Sequence, residues 1–224
     1  MPALLHAAKG PGYGDIMTRH AMFDSAYPPS DSLSVMETVE SDISMMLCRG
    51  DTYQKILWYY NEFLDPEEWQ EQASNITPRP EKIEDFIKLV SDEYRRLVPE
   101  SSAHVKSIYD VGWFLEEAGF AWSFDEGFDQ SEAAWRAQQK ARAYDAGGYA
   151  CCTGQDVDRL ISTGVLYVGF SSMIASAEEH QKVGQWVYRE LTERGLNPEW
   201  DGDADSRIKC SNLLYEVKLA PDFP

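Results

Sequence analysis

The sequence predicts an α/β fold of the α+β type, in which a helical N-terminal half packs on a C-terminal mixed sheet with flanking helices. Two observations support this prediction. Apolar residues recur mainly at helical spacing up to residue 118, whereas short apolar runs alternate with helical stretches after Gly119. The chain also has 224 residues, of which 43% are hydrophobic, so it can bury a sizeable core. We expect one compact body or two tightly packed lobes.

Three regions follow from these patterns. Residues 1–30 are rich in Gly and Pro and show little apolar periodicity, so we predict a loosely structured lead. Residues 31–118 form a mainly helical region, and residues 119–224 form the α/β region.

The helical region carries the signals of five helices. Capping residues or a proline in the first turn mark most of the predicted starts, and Gly119 marks the last predicted end. The predicted starts are Asp31 or Ser34, Asp51, Asp65, Pro80 and Ala103.

In the α/β region, β-branched and aromatic runs predict strands, and longer amphipathic stretches predict helices. Strands are predicted at residues 120–124, 148–152, 165–170, 196–200 and 208–219, and helices at 130–145 and 175–194. Strands that alternate with helices in this way predict a sheet covered by helices.

The chain is strongly acidic, with 38 Asp and Glu against 20 Lys and Arg and a net charge of -18. Such a chain repels polyphosphates and attracts basic surfaces, so we expect neither nucleic acid nor an anionic membrane as a partner. Residues 22–72 hold eleven acidic residues against only Arg49 and Lys55. This local excess predicts a binding face for a basic partner, although a solvated helix face would show the same pattern.

Neither cysteines nor histidines show the spacing of a disulfide framework or a metal site. The four cysteines, Cys48, Cys151, Cys152 and Cys210, fit a reducing compartment, and the four histidines are scattered along the chain. The first eight residues do not have the pattern of a signal peptide, and no apolar run approaches the length of a membrane span. We therefore expect a cytoplasmic protein without a metal or another cofactor.

One alternative is enzymatic. Asp201, followed in a later predicted strand by Glu216 and Lys218, has the layout of the PD-(D/E)-x-K nucleases, in which two carboxylates hold Mg²⁺ and the lysine activates water. A nuclease would also need a cationic path for its substrate, which this acidic sequence does not indicate.

A set of short motifs between residues 110 and 218 resembles an uncharacterised bacterial domain family. The motifs are Gly148-Tyr149, Gln155-Asp156, Leu166-Tyr167, Trp200-Asp201-Gly202 and Arg207-Ile208. Thr153 stands where members of that family often carry a histidine, so no metal or thiol function is carried over. From their chemistry, Gln155, Asp156, Trp200, Gly202 and Arg207 are expected to be structural, with Asp201 accepting amide hydrogens in a turn or pairing with Arg207.

Such domains resemble the toxin-neutralising immunity proteins of bacterial secretion systems. The resemblance implies a non-enzymatic protein that binds a cognate toxin, expected to be a basic effector acting on nucleic acid, and blocks it through an acidic face. A nuclease and a non-catalytic scaffold remain the alternatives. The residues expected to bind the partner are Glu62, Asp65, Glu67, Glu68 and Glu71 around Trp69, together with Asp201, Asp203 and Asp205.

Overall fold

The computed structural model describes residues 19–30, 38–63 and 80–224 of the chain. These residues contain a short 3-10 helix at Ala21–Asp24, seven α-helices and one five-stranded sheet. The helices are α1 Val39–Arg49, α2 Tyr53–Phe63, α3 Ile83–Leu97, α4 Ala103–Glu117, α5 Gln130–Ala143, α6 Gly154–Thr163 and α7 Ala177–Glu193. The strands are β1 Phe120–Ser123, β2 Gly148–Cys151, β3 Leu166–Ser172, β4 Pro198–Glu199 and β5 Ile208–Cys210. The α+β prediction is confirmed.

The sheet is mixed, as the sequence predicts. Its strand order is β1-β2-β3-β5-β4. β1 and β2 are parallel, with Phe120 opposite Gly148, whereas the other neighbouring pairs are antiparallel. The parallel pair is joined through α5, as a parallel connection requires a crossover.

Helices cover both faces of the sheet because successive side chains of a strand point to opposite faces. On one face, Ala121, Tyr149 and Cys151 pack against α5 through its buried alanines at positions 133, 137 and 141. On the other face, Trp122 and Ala150 join the large core that includes α4 and α7. The small alanine side chains let α5 lie close to the sheet.

The N-terminal helices belong to the same large core. α3 buries an apolar stripe with the helical spacing seen in the sequence, and it packs against both α1 and α2. α1 also contacts α6, where the Nε–H of Arg49 donates to the carboxylate of Asp158 at 2.8 Å. One continuous set of buried side chains therefore links the helical region to the sheet.

The structure differs from the predicted loose lead at residues 19–30; residues 1–18 lie outside the described part. His20 caps the 3-10 helix by accepting the N–H of Met22 on Nδ1 at 3.1 Å. Met22 and Phe23 are buried. Two apolar side chains are too few to produce a periodic pattern, so their burial arises only from tertiary contacts.

Helix boundaries follow local capping chemistry. α1 begins one residue after Thr38, whose side chain forms a capping box with Ser41, rather than at the predicted Asp31 or Ser34. Residues 31–37, and the short helix predicted at Asp65, lie outside the described residues. α6 was not predicted, although Thr153 and Asp156 form its capping box and Gly164 ends it with a φ of 69°.

The last predicted strand is much shorter in the structure. β5 ends at Cys210, and Asn212 then adopts a left-handed φ of 60°, which turns the chain out of the sheet. The following segment runs beside the start of α4 instead. There the Oγ–H of Ser102 donates to the carbonyl of Leu214 at 2.6 Å, and the N–H of Ser102 donates to the carbonyl of Glu216 at 2.8 Å.

Among the described residues, no helix combines the length and the apolar character needed to cross a membrane.

Candidate functional site

The predicted acidic face is only partly within the described residues. Glu62 lies exposed in the last turn of α2. The other members of that predicted cluster, Asp65, Glu67, Glu68, Trp69 and Glu71, lie outside the described residues.

Exposed aromatic side chains accompany Glu62, and none of them is among the residues predicted to bind a partner. Trp58 and Phe63 are 56% and 61% exposed, and their rings meet edge to face with centroids 5.2 Å apart. Ile56 and Tyr60 of α2 are buried in the core, so the rings of Trp58 and Phe63 lie on the outer side of this helix. A helix with five aromatic residues among eleven, whose apolar residues exceed one buried stripe, is a sequence signal that indicates such exposure.

The acidic residues of 22–72 do not all face solvent. Glu40 is buried, and Asp42 accepts a hydrogen bond from the Tyr60 hydroxyl at 2.7 Å. Burial raises the pKa of Asp42 above its usual value, and the hydrogen bond from Tyr60 offsets this rise only in part. Asp51 forms an ion pair with Lys55. Glu40 therefore contributes nothing to an exposed acidic surface, and Asp42 and Asp51 have partners within the protein, because the side chains of a helix point to all its sides.

The second predicted acidic group forms an exposed turn after β4. Asp201 accepts the N–H of Asp203 at 3.0 Å and the hydroxyl hydrogen of Ser206, and these hydrogen bonds lower its pKa. Asp203 in turn accepts the N–H of Asp205 at 3.0 Å. Gly202 has a φ of 83°, which the turn requires. Of the two roles expected for Asp201, the turn is the one found, because Arg207 pairs elsewhere.

The three residues of the nuclease alternative have separate partners. Glu216 accepts the N–H of Ala21 at 2.8 Å, and Lys218 forms an ion pair with Glu100 at 3.0 Å. Asp201 belongs to the turn described above. Within residues 19–30, 38–63 and 80–224, no group of three or more His, Cys, Asp and Glu residues is placed to hold a metal ion.

Residues from separate motifs meet around Asp156. The Asp156 carboxylate is 2% exposed and forms ion pairs with Arg207 and, at 3.0 Å, with Arg159. It also accepts the N–H of Thr153 at 3.0 Å, which closes the capping box of α6. The same Arg207 donates from Nη2 to the Tyr167 carbonyl at 2.7 Å. Two residues predicted to be structural, 51 positions apart, are thus joined by the fold.

Arg207 also lines a cleft of about 300 Å³ between α5 and strands β2 and β3. The start of α5 contributes polar residues, and the strands contribute aromatic and small residues. The lining is completed by Gln130, Ser131, Ala134, Tyr149, Cys151, Thr153, Gly169 and Phe170. Burial raises the pKa of the Cys151 thiol to about 11, despite a smaller opposing effect of Arg207, so this thiol is protonated at neutral pH.

The fold and these sites define a helix-covered mixed-sheet domain with exposed aromatic residues beside Glu62 on α2 and a cleft lined by Arg207. The model of a family described as Domain of unknown function (DUF6891) matches residues 61–219, and the chain belongs to this family. The resemblance to an uncharacterised domain family is confirmed to this extent. No curated protein and no solved structure matches the chain. The matched residues include the cleft and the turn after β4, but they begin only near the end of α2.

Proposed function

We propose that this protein binds a basic protein partner through the outer side of α2 around Trp58, Glu62 and Phe63, and that it neutralises a toxin as a cytoplasmic immunity protein. The exposed Trp58–Phe63 pair beside a carboxylate is the observation that supports this proposal most directly. Binding sites concentrate their energy in aromatic residues that become buried, and acidic neighbours select a basic partner.

The aromatic pair is costly to leave in water. Both rings are more than half exposed, and they adjoin a third ring, Tyr59, whose centroid is 5.7 Å from that of Phe63. Contiguous exposed apolar side chains with a polar rim are typical of interaction surfaces. A partner that covers them would gain the hydrophobic free energy that α2 leaves unused.

Charge supports the choice of a basic partner. The chain carries a net charge of -18, and the acidic residues at 65–71, which are predicted to bind the partner, follow α2 in sequence. An acidic inhibitor associates rapidly with a basic effector because long-range attraction steers the encounter. Toxins that act on nucleic acid need a basic surface for their own substrate.

The test uses the protein encoded by the reading frame next to this one. We expect the two purified proteins to form a complex, measured by isothermal titration calorimetry and size-exclusion chromatography. Trp58→Ala should weaken it at least ~30-fold, equivalent to about 2 kcal/mol. Glu62→Lys should slow association, and its effect should shrink as salt is raised.

The chain offers closely matched controls on α4. Trp113 is also 56% exposed and meets Phe114 edge to face with centroids 4.5 Å apart, and Glu117 is an exposed neighbour. Trp113→Ala and Glu117→Lys should leave the affinity unchanged. Equal losses at both positions would place the interface elsewhere. A neighbouring protein that does not bind and has a metabolic activity would refute the immunity role.

A further inference from the structure

The cleft between α5 and the sheet differs in charge from the rest of the molecule. Among the described residues that line it, Arg207 is the one that carries a formal charge. The chain as a whole carries a net charge of -18. A cationic group at the wall of a cleft in so acidic a protein favours an anionic ligand there and disfavours a cationic one.

Arg207 is held in place by groups outside the cleft. Its Nη2 donates to the Asp156 carboxylate and to the Tyr167 carbonyl. Tyr167 also lies beneath the guanidinium, whose carbon is 5.4 Å from the ring centroid. These contacts fix the plane of the guanidinium, so a ligand would meet a preorganised donor group.

Part of the guanidinium remains available. In the described part of the chain, Nε and Nη1 of Arg207 have no protein acceptor, and the side chain is 25% exposed. Asp156 is moreover shared with Arg159, so two guanidinium groups face a single carboxylate. Asp156, Arg159 and Arg207 together therefore carry one net positive charge. Because both N–H groups of Nη2 are engaged, a ligand carboxylate would accept a single charge-assisted hydrogen bond, from Nε or from Nη1.

The remaining walls suit a flat apolar body. Tyr149 contributes a ring, Ala134 contributes a methyl group, and Gly169 contributes no side chain, whereas the ring of Phe170 packs against Trp200 on the other face of the sheet. A volume of about 300 Å³ is at the lower end of ligand pockets. Gln130 and Ser131, at the start of α5, add polar groups at the rim.

We propose that this cleft is a binding site for a small organic carboxylate with a planar ring, whose carboxylate pairs with Arg207 and whose ring lies between the strands and α5. The proposal does not depend on the toxin partner, because the cleft and the surface of α2 are built from different elements. The assignment rests on the cavity and on the arginine in its wall.

The test measures binding to the full chain with three probes: benzoate, acetate and inorganic phosphate. The Nε–H resonance of Arg207, assigned by its loss in Arg207→Lys, is followed in ¹H–¹⁵N spectra. We expect benzoate to shift this resonance and to saturate, with an affinity at least ~10-fold above that of acetate, because acetate lacks the ring. Phosphate should bind more weakly than benzoate.

Variants that fill the cleft but retain Arg207 distinguish binding of the ring from binding of the carboxylate. Ala134→Leu fills the cleft while retaining Arg207, so it should weaken benzoate at least ~10-fold and leave acetate nearly unchanged. Ala143→Leu, on an exposed part of the same helix, is the matched control. Gly169→Ala is a second filling variant, because its added Cβ would lie 3.5 Å from Cys151 Sγ, an ordinary contact distance.

Each alternative result would overturn the proposal. Equal affinities for benzoate and acetate would show that no ring binds in the cleft. Tighter phosphate binding that Ala134→Leu does not affect would indicate an anion on the open surface between Arg159 and Arg207. A benzoate shift that survives in both filling variants, with their thermal unfolding unchanged, would place the ring outside the cleft.

Discussion

Replacing Asp156 by alanine should destabilise the protein more than any exposed acidic substitution. Its carboxylate is 2% exposed and accepts hydrogen bonds from the backbone and hydroxyl of Thr153, at 3.0 and 2.8 Å. It also pairs with Arg159 and Arg207. One side chain thus caps α6, fixes two arginines and ties β5 to α6.

The expected loss of stability depends on whether the two arginines can reach water once the carboxylate is removed. Removing one partner of a buried ion pair typically costs about 3–5 kcal/mol, because the other charge is left buried. Here Arg159 and Arg207 keep side-chain exposures of 38% and 25%, so both can reach water when the carboxylate is lost. The lost helix cap adds about 1 kcal/mol. We therefore expect the lost ion pairs to cost less than that range, and the total loss including the cap to be about 3 kcal/mol.

Urea unfolding followed by circular dichroism provides the measurement, since the midpoint shifts while the slope should stay constant. Asp110→Ala is the control, because Asp110 forms an exposed pair with Lys106 one helical turn away and should cost less than about 0.5 kcal/mol. A loss below about 1 kcal/mol for Asp156→Ala would refute the reasoning, because it would show that the carboxylate does not hold the two arginines.

Two further predictions test the core. Burial lowers the pKa of His20 from 6.5 to about 4, so between these pH values the unfolded chain binds a proton that the folded protein does not. The free energy of unfolding should therefore fall by about 3 kcal/mol as the pH drops from above 6.5 to below 4. His20→Asn can keep the cap on Met22 and should remove this pH dependence, which is measured by comparing the urea midpoints of both proteins at pH 7 and 4.5. Midpoints of the two proteins that fall in parallel with pH would contradict the prediction. Gly112→Ala would place a Cβ 2.4 Å from Cδ1 of Trp122. We expect a net loss of about 1–2 kcal/mol despite the better helix propensity, measured by thermal unfolding, and an unchanged melting temperature would contradict the steric argument.

Much of the fold could be predicted where one stretch of sequence carries its own signal. α3 and α4 lie close to their predicted positions, because apolar spacing and the stop at Gly119 are local features. α6 was missed because its short, polar start shows no long apolar period. β5 was predicted too long because the turn at Asn212 depends on a backbone conformation that strand propensity does not report.

The candidate sites could be predicted less well, for a different reason. The sequence indicated that Glu62 and the turn after β4 are acidic, and the structure leaves both exposed. It did not indicate that Glu40 is buried, or that Trp58 and Phe63 remain in water. Exposure depends on which side of a helix meets a neighbour, and sequence composition does not determine that.

By itself, the sequence determined the acidity of this protein, its class of fold and the positions of its strongest helices, because these depend on composition and on local periodicity. Only the tertiary structure decided that Asp156 and Arg207 meet, that the arginine lines a cleft, and that an aromatic pair is left uncovered on α2. Such features join residues far apart in the chain, and their geometry depends on packing rather than on the spacing of residues in sequence.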